Sequence, residues 1–291
     1  MKIKEDNRDE EDERSCWQDG KNLCSHWYDL IVPFARYVSM NGLDSIQNGF
    51  KSFRAYQMAT VFRDCRESYQ CQFDIAGDES VAVAEYEVVY IMSELLDDLN
   101  IGGCEKVVEW SVGYLWRAVS LSQVSNVCST IDKLDKLSLE QIKKELIDVK
   151  GIDVKTVSNI CSFLRTFRGK PREFLSKLKE EHNELLINES SKQAWNEFDK
   201  LFDMLEDTGR IKNFVLDLSL SLSRCPDYYT GVIYEAVLKG VTTQQQQVGL
   251  IAYGGRYDNL IGMFGSEPVP AIGVTLEIEH VQSWNNTIKM S

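Results

Sequence analysis

Strand-patterned runs stand at both ends of this chain and helical ones fill its middle, and that order constrains the fold more than any other feature. Leu216, Leu218, Leu220 and Leu222 alternate with Asp217, Ser219 and Ser221, the period of a half-buried strand. Ile272, Val274, Leu276 and Ile278 alternate again, and Val232–Leu238 pairs naturally with Val248–Ala252 across the Gln244–Gln247 loop. Near the other end, Tyr28–Met40 and Phe53–Ile75 mix aromatic and β-branched residues with Arg and Asp, as strands and short helices of a site-bearing core would. Val81–Leu99 is helical, with Val88, Met92, Leu95 and Leu99 on one face and Gly102 beyond its end. Trp110–Ala118 fits neither pattern well. Strands, then helices, then strands predict an α+β fold, an antiparallel sheet flanked by helices, with an inserted helical subdomain.

The middle, near 121–210, carries clear punctuation. Ser138 and Gln141 have the spacing of a capping box, Leu139, Ile142 and Leu146 line one face, and Gly151 stops the helix. Pro171 opens another helix. Trp195, Phe198, Leu201, Phe202 and Leu205 stripe a third, which ends at Gly209. The expected domains are an acidic disordered tail over 1–20, a first half of the core over 21–120, the helical insertion over 121–210, and the second half over 211–291. Glu5–Arg14 alone holds seven carboxylates and two arginines, a solvated stretch.

Charge and cysteines exclude several classes. The net charge of −13 repels phosphate backbones, so a nucleic-acid partner would need a local basic patch. No apolar run is long enough to cross a membrane and no signal peptide is evident near Met1, so the expected location is the cytoplasm. The eight cysteines form no C-x-x-C pair and no histidine lies near Cys65 and Cys71, so no metal site is expected.

Two polar segments remain that are costly to bury unless they grip a polar ligand: Leu222-Ser-Arg-Cys-Pro-Asp-Tyr-Tyr-Thr-Gly-Val-Ile-Tyr-Glu-Ala-Val237 and Ala252-Tyr-Gly-Gly-Arg-Tyr-Asp-Asn-Leu-Ile-Gly-Met-Phe264. The pair resembles the two signature segments of histidyl-tRNA synthetase, a class II aminoacyl-tRNA synthetase. The resemblance runs, with gaps, from near Leu23 to about Val281, and Cys128–Lys136 looks like the eukaryotic members. It implies a histidine–tRNA ligase-like catalytic domain using ATP and Mg2+, with histidine and tRNA as partners. Arg63 then matches the motif 2 arginine on the α-phosphate, and Arg224 the arginine bridging substrate carboxylate and phosphate, roles that suit a planar guanidinium. Asp29 would face the histidine ammonium and Gln70 its carboxylate. Asp74 and Tyr229 would hold the ring, with Tyr228 and Tyr257 beside them, and Gly254-Gly255 would let backbone approach the ligand.

The resemblance also breaks in places. Only Asp64 and Cys65 separate Arg63 from Arg66, where the family has a longer loop reaching ATP and the tRNA acceptor end. In motif 3, Glu277 replaces a glycine and His280 replaces an arginine. A carboxylate about 4 Å from a phosphate charge opposes binding by roughly 4 kcal/mol at an effective dielectric near 20, and a neutral imidazole does not replace a fork of donors. Arg63, Arg66, Glu277 and His280 thus form a weakened ATP side. Trp27 and Ile31 replace an arginine and a threonine, and Cys225-Pro226 follows Arg224 where the family has Gly-Leu. Motif 1 and the anticodon-binding domain are expected to be absent. Three functional readings stay open: an active or partly active ligase, a non-catalytic module that binds histidine or a partner such as a full-length synthetase, and a chain without function.

Overall fold

The computed structural model describes residues 16–19, 22–25, 27–42, 52–63, 66–77, 80–99, 106–112, 130, 133, 137–158, 161, 168–181, 189–210, 214–217, 228–238, 250–265 and 267–283. A short antiparallel hairpin, β1 (Cys16–Asp19) with β2 (Asn22–Ser25), comes first. Helix α1 (Ile31–Asn41) follows, then strands β3 (Ser52–Arg63) and β4 (Arg66–Gly77) and helix α2 (Val81–Asp98). Next come β5 (Lys106–Val112), α3 (Leu139–Asp148), β6 (Arg168–Gly169), α4 (Pro171–Glu181), α5 (Glu189–Asp207) and β7 (Phe214–Asp217). β8 (Val232–Leu238), β9 (Leu250–Arg256), a 3-10 turn at Ile261–Phe264, and β10 (Ala271–Glu277) follow.

The main sheet has the order β3-β4-β10-β9-β8-β5-β7-β6. Every neighbouring pair is antiparallel except β5 with β7, which run parallel. The expected α+β class therefore holds, with one parallel pair beyond the sequence reading. Val232–Leu238 pairs with the strand expected over Val248–Ala252, but that strand runs on to Arg256, and a bulge falls between Ala236 and Val237. Trp110, the first residue of the aromatic-rich run, lies in β5.

One face of the sheet carries the main core. Ile75, Ile272, Val274, Leu276, Ala252, Val232, Tyr234 and Ala236 pack there against Val88, Val89 and Met92 of α2 and against Phe198, Leu201, Phe202 and Leu205 of α5. The stripe on α5 is thus packing, as its spacing implies, but it covers the sheet itself. Segments 171–181 and 189–207, assigned to the helical insertion, contribute to the same hydrophobic cluster as the strands. Arg172 of α4 ties this pair together by contacts with Asp199, Asp203 and Glu206 of α5. Arg210 reaches back to Asp97 at the end of α2.

Local signals set the helix ends. Ser138 and Gln141 form the predicted capping box, with the Ser138 N–H donating to Gln141 Oε1 at 2.9 Å. Gly209 sits at φ +70°, and the Arg210 N–H turns back to the Leu205 carbonyl, the geometry that ends a helix on glycine.

The other face of the sheet is held by α1. Ile31, Phe34, Ala35 and Val38 form a second cluster with Ala76, Tyr257, Leu260, Ile261 and Ala271. The segment before α1 is fixed to β3 by the Phe62 N–H on the Trp27 carbonyl and the Gln57 amide on the Leu30 carbonyl. Asp29 lies between these two contacts, and β3 is the edge strand of the sheet.

Candidate functional site

Strand register builds the site. Asp74, Gln72 and Gln70 of β4 stand opposite Gly273, Thr275 and Glu277 of β10, and Gly273 and Thr275 in turn stand opposite Gly255 and Tyr253 of β9. A two-residue period puts this set on one face, so a polar lane crosses the middle of the sheet, away from the main core.

Asp74 is wholly buried at the head of the lane. Its Oδ1 accepts hydrogen bonds from the Tyr257 hydroxyl at 2.5 Å and the Gln72 amide at 2.7 Å. Its Oδ2 is buried with no hydrogen-bond partner. Burial pushes the carboxyl up to about 7, the bonds from Tyr257 and Gln72 work against that, and the charge of Asp29 adds to it. Burial likewise raises the Tyr257 phenol well above its usual range, and the Asp74 charge adds to the shift. Gly273 exists to seat this carboxylate: a Cβ there would lie 2.0 Å from Asp74 Oδ1.

Asp29 is buried at the entry of α1, where Oδ1 accepts the Val32 N–H at 2.9 Å and Oδ2 accepts the Tyr228 hydroxyl at 3.1 Å. Tyr228 packs on Tyr229 and edge-on to Tyr257. Gly255 leaves room for the Tyr229 ring, since a Cβ would fall 2.9 Å from its Cδ1, and Gly254 leaves room for the Gly273 carbonyl oxygen at 2.1 Å. A Gly255 Cβ would also fall 2.6 Å from the Val232 carbonyl oxygen, so both glycines allow close packing of the protein around them.

Gln70 is fully buried at the far end of the lane. Its amide nitrogen donates to Glu277 Oε1 at 2.7 Å and lies 3.1 Å from the Tyr253 hydroxyl, while its Oε1 has no hydrogen-bond partner. Glu277 is itself buried, and the Ser68 hydroxyl donates to its Oε2 at 3.0 Å. His280 lies in the helical stretch 278–283, with Nδ1 2.7 Å from the Leu250 carbonyl oxygen; a carbonyl only accepts, so Nδ1 carries the proton. Arg63 and Arg66 are the closing pair of the β3–β4 hairpin, about 13 Å along the strands from the Ala59–Gln70 pair at 3.3 Å per residue. Arg66 is exposed. Arg224 lies outside the described residues, as do the acidic stretch Glu5–Arg14, Gly102, Asp64, Cys65, Cys225 and Pro226.

A supporting network escaped the sequence reading. Arg256 is buried on Glu85 of α2 at 3.4 Å and on Asp258 at 3.0 Å. Asp258 also accepts the Thr230 hydroxyl and the Ala271 N–H. This clamps the turn bearing Tyr257 to the turn bearing Tyr228 and Tyr229. Burial raises the Glu85 carboxyl to about 7 against the pull of Arg256. The Arg and Asp flanking Tyr257 in Gly-Gly-Arg-Tyr-Asp were the available signal. Their partners lie far off in sequence, so spacing could not assign them.

The model of the family described as histidyl-tRNA synthetase matches residues 53–281. The chain belongs to the histidyl-tRNA synthetase family. It is 46% identical over 275 residues to the cytoplasmic histidine–tRNA ligase of Oryza sativa subsp. japonica, covering 90% of this chain and 33% of that one. The Arabidopsis thaliana cytoplasmic ligase is 44% identical over 275 residues, covering 90% and 29%, and that of Dictyostelium discoideum 36% over 277 residues, covering 90% and 54%. Among solved structures, the crystal structure of histidyl-tRNA synthetase from Nostoc sp. PCC 7120 superposes with a TM-score of 0.77 at 25% identity, covering 95% of this chain and 63% of that one. The chain spans about a third to about half the length of these curated relatives. The sheet flanked by helices is therefore the catalytic-domain fold of histidyl-tRNA synthetases.

Among the described residues no group of three or more His, Cys, Asp or Glu side chains converges on a metal position. Nor is any helix among them long and apolar enough to cross a membrane.

Proposed function

We propose that this chain is a histidine-recognising synthetase-like domain whose ATP chemistry is impaired. The observation that carries it is Asp74: a buried carboxylate with one oxygen held by Tyr257 and Gln72 and the other without a partner. A buried acceptor without a donor is a cost that a bound N–H removes. An imidazole N–H on Asp74 Oδ2, its ring among Tyr228, Tyr229 and Tyr257, and an ammonium at Asp29 use the groups on hand. A site of this kind rejects side chains lacking the ring nitrogens, because its own polar groups stay unpaired.

The ATP side supports impairment. Activation would join two anions, the histidine carboxylate and the α-phosphate, and needs fixed positive charge there. ATP and Mg2+, which the family uses, would supply the phosphate and its counter-ion. Glu277 instead brings a third anion, held in place by Gln70 and Ser68. His280 turns its Nδ1 proton onto backbone. Two residues join β3 to β4, leaving little loop to reach a nucleotide. Arg63 and Arg224 are the residues proposed to hold the α-phosphate and substrate carboxylate where any activation survives, and Arg66 stands opposite Arg63 in the hairpin. At a net charge of −13, tRNA would depend on a local basic patch. We place the protein in the cytosol by analogy with the rice and Arabidopsis relatives, and a full-length synthetase is a candidate partner.

Titration calorimetry with histidine and leucine tests recognition, and histidine-dependent ATP–pyrophosphate exchange tests impairment. Weak binding of histidine alone, with exchange near background, is expected. Equal response to leucine refutes the pocket, and exchange at rates typical of intact synthetases refutes the impairment.

A further inference from the structure

Glu277 ends β10 directly opposite Gln70, and the residue is only 3% exposed. Gln70 Nε2 donates to it at 2.7 Å and the Ser68 hydroxyl at 3.0 Å. The other amide donor of the lane, Gln72 Nε2, is engaged by Asp74. We propose that the Glu277 carboxylate is a built-in occupant of the lane's anion end, so that the site takes imidazole amines lacking a carboxylate, of the histamine or histidinol kind, in preference to histidine. This rests on the reading that Asp74 and Asp29 take the ring and the amine.

The preference follows from the donors. A ligand carboxylate extending from the amine toward Gln70 meets a donor that already serves a carboxylate. If Glu277 stays, two like charges share one amide, which weakens binding. If Glu277 is displaced, a buried charge loses its hydrogen bonds, which also costs. A hydrogen or a hydroxymethyl group in that place meets neither penalty. A hydroxyl also supplies the donor that Gln70 Oε1, buried without a partner, can accept. Glu277 thus selects by charge at one end of the lane while Asp74 selects for the ring at the other.

The experiment is titration calorimetry of the full chain with L-histidine, L-histidinol, histamine and L-leucinol, on the wild type, Glu277→Gln and Glu277→Gly. Gln keeps an acceptor for the Gln70 amide without the charge, and circular dichroism with thermal melting checks that each variant is folded. The expectation is that wild type binds histidinol and histamine at least ten-fold more tightly than histidine, about 1.4 kcal/mol, and ignores leucinol. Glu277→Gln should narrow the histidinol-to-histidine ratio to about three-fold or less. Histidine binding wild type as tightly as histidinol overturns the inference while leaving the imidazole pocket intact, and so does a ratio unmoved by a folded Glu277→Gln. Silence with all three imidazole ligands, or equal binding of leucinol, overturns the pocket reading and this inference with it. The wild-type ratio decides even where neither variant folds.

Discussion

Asp74→Asn should make the ligand-free protein more stable at pH 8, and the gain should shrink as pH falls. The carboxyl is wholly buried and burial raises it from 3.8 to about 7. The folded state therefore holds this proton more tightly than the unfolded chain does, and protonation favours the fold. Stability from this group is lost as pH rises from the unfolded value of 3.8 to the folded value of about 7, and is constant above that. At about 1.4 kcal/mol per pH unit, the full loss is on the order of 4 kcal/mol above pH 7, of which about 1.5 is already present at pH 5. Asn removes the charge and keeps an acceptor for Tyr257 and Gln72. It places an unpartnered NH2 where Oδ2 stood, which takes back about 1 kcal/mol. The pH-dependent part, free of that constant, should be about 2–3 kcal/mol between pH 5 and pH 8. Urea unfolding of both proteins at the two pH values, with unchanged slopes, reads it as a midpoint difference of about 1 M that grows toward pH 8. A difference between the two proteins that is flat with pH, or that turns against Asn at pH 8, refutes the reasoning. The same variant should lose histidine binding.

Arg256→Ala should destabilise by about 3–5 kcal/mol in thermal or chemical unfolding, because it strands buried Glu85. Glu85→Gln should cost less, since it removes the charge together with its partner's pull. Gly273→Ala drives a Cβ to 2.0 Å from Asp74 Oδ1, so histidine binding should vanish and stability fall by about 1–3 kcal/mol. Gly151→Ala, with open space around it, should cost only about 1–2 kcal/mol for its positive φ. The double reversion Glu277→Gly with His280→Arg should raise ATP affinity in a nucleotide-binding assay; no change would assign the defect to the short β3–β4 turn. Electrophoretic shift at physiological salt should find no preference for histidine tRNA over other tRNAs.

Much of the scaffold was readable locally. Ser138 with Gln141, Pro171, Gly209 and the Trp195–Leu205 stripe act within one turn or one helix, and each marks the element it predicts. The polar set Gln70, Asp74 and Tyr257 was also readable, through resemblance, and Asp74 and Tyr257 do meet. What escaped depends on register between distant strands. Nothing near Glu277 announces that Gln70 will stand opposite it, because the pairing is decided by how β10 slots against β4. The Arg256–Glu85 pair joins a strand to a helix on the far face in the same way. Strand β5 does carry a two-residue period, Val108, Trp110 and Val112 against Glu109 and Ser111, but the aromatic run that continues past it to Ala118 obscures where the strand ends. The packing of α5 on the sheet was missed for another reason: an apolar stripe states that a helix is covered, but not by what.

The placement of β10 between β4 and β9 has a consequence for how the protein comes into being. Gln70 and Glu277, neighbours in the sheet, are separated by 207 positions in the chain. At a synthesis rate of about 5–20 residues per second, the β3–β4 hairpin waits roughly 10–40 s on the ribosome before its inner partner emerges. Throughout that interval its inner edge and the apolar face bearing Ile75 lack β10, and α5 has not yet been made for most of it. Closing so long a loop is also slow in its own right. The nascent chain is thus most exposed to association with its neighbours before β10 exists. Slower translation before β10 should worsen its yield, and a chaperone that shields the β4 edge should restore it.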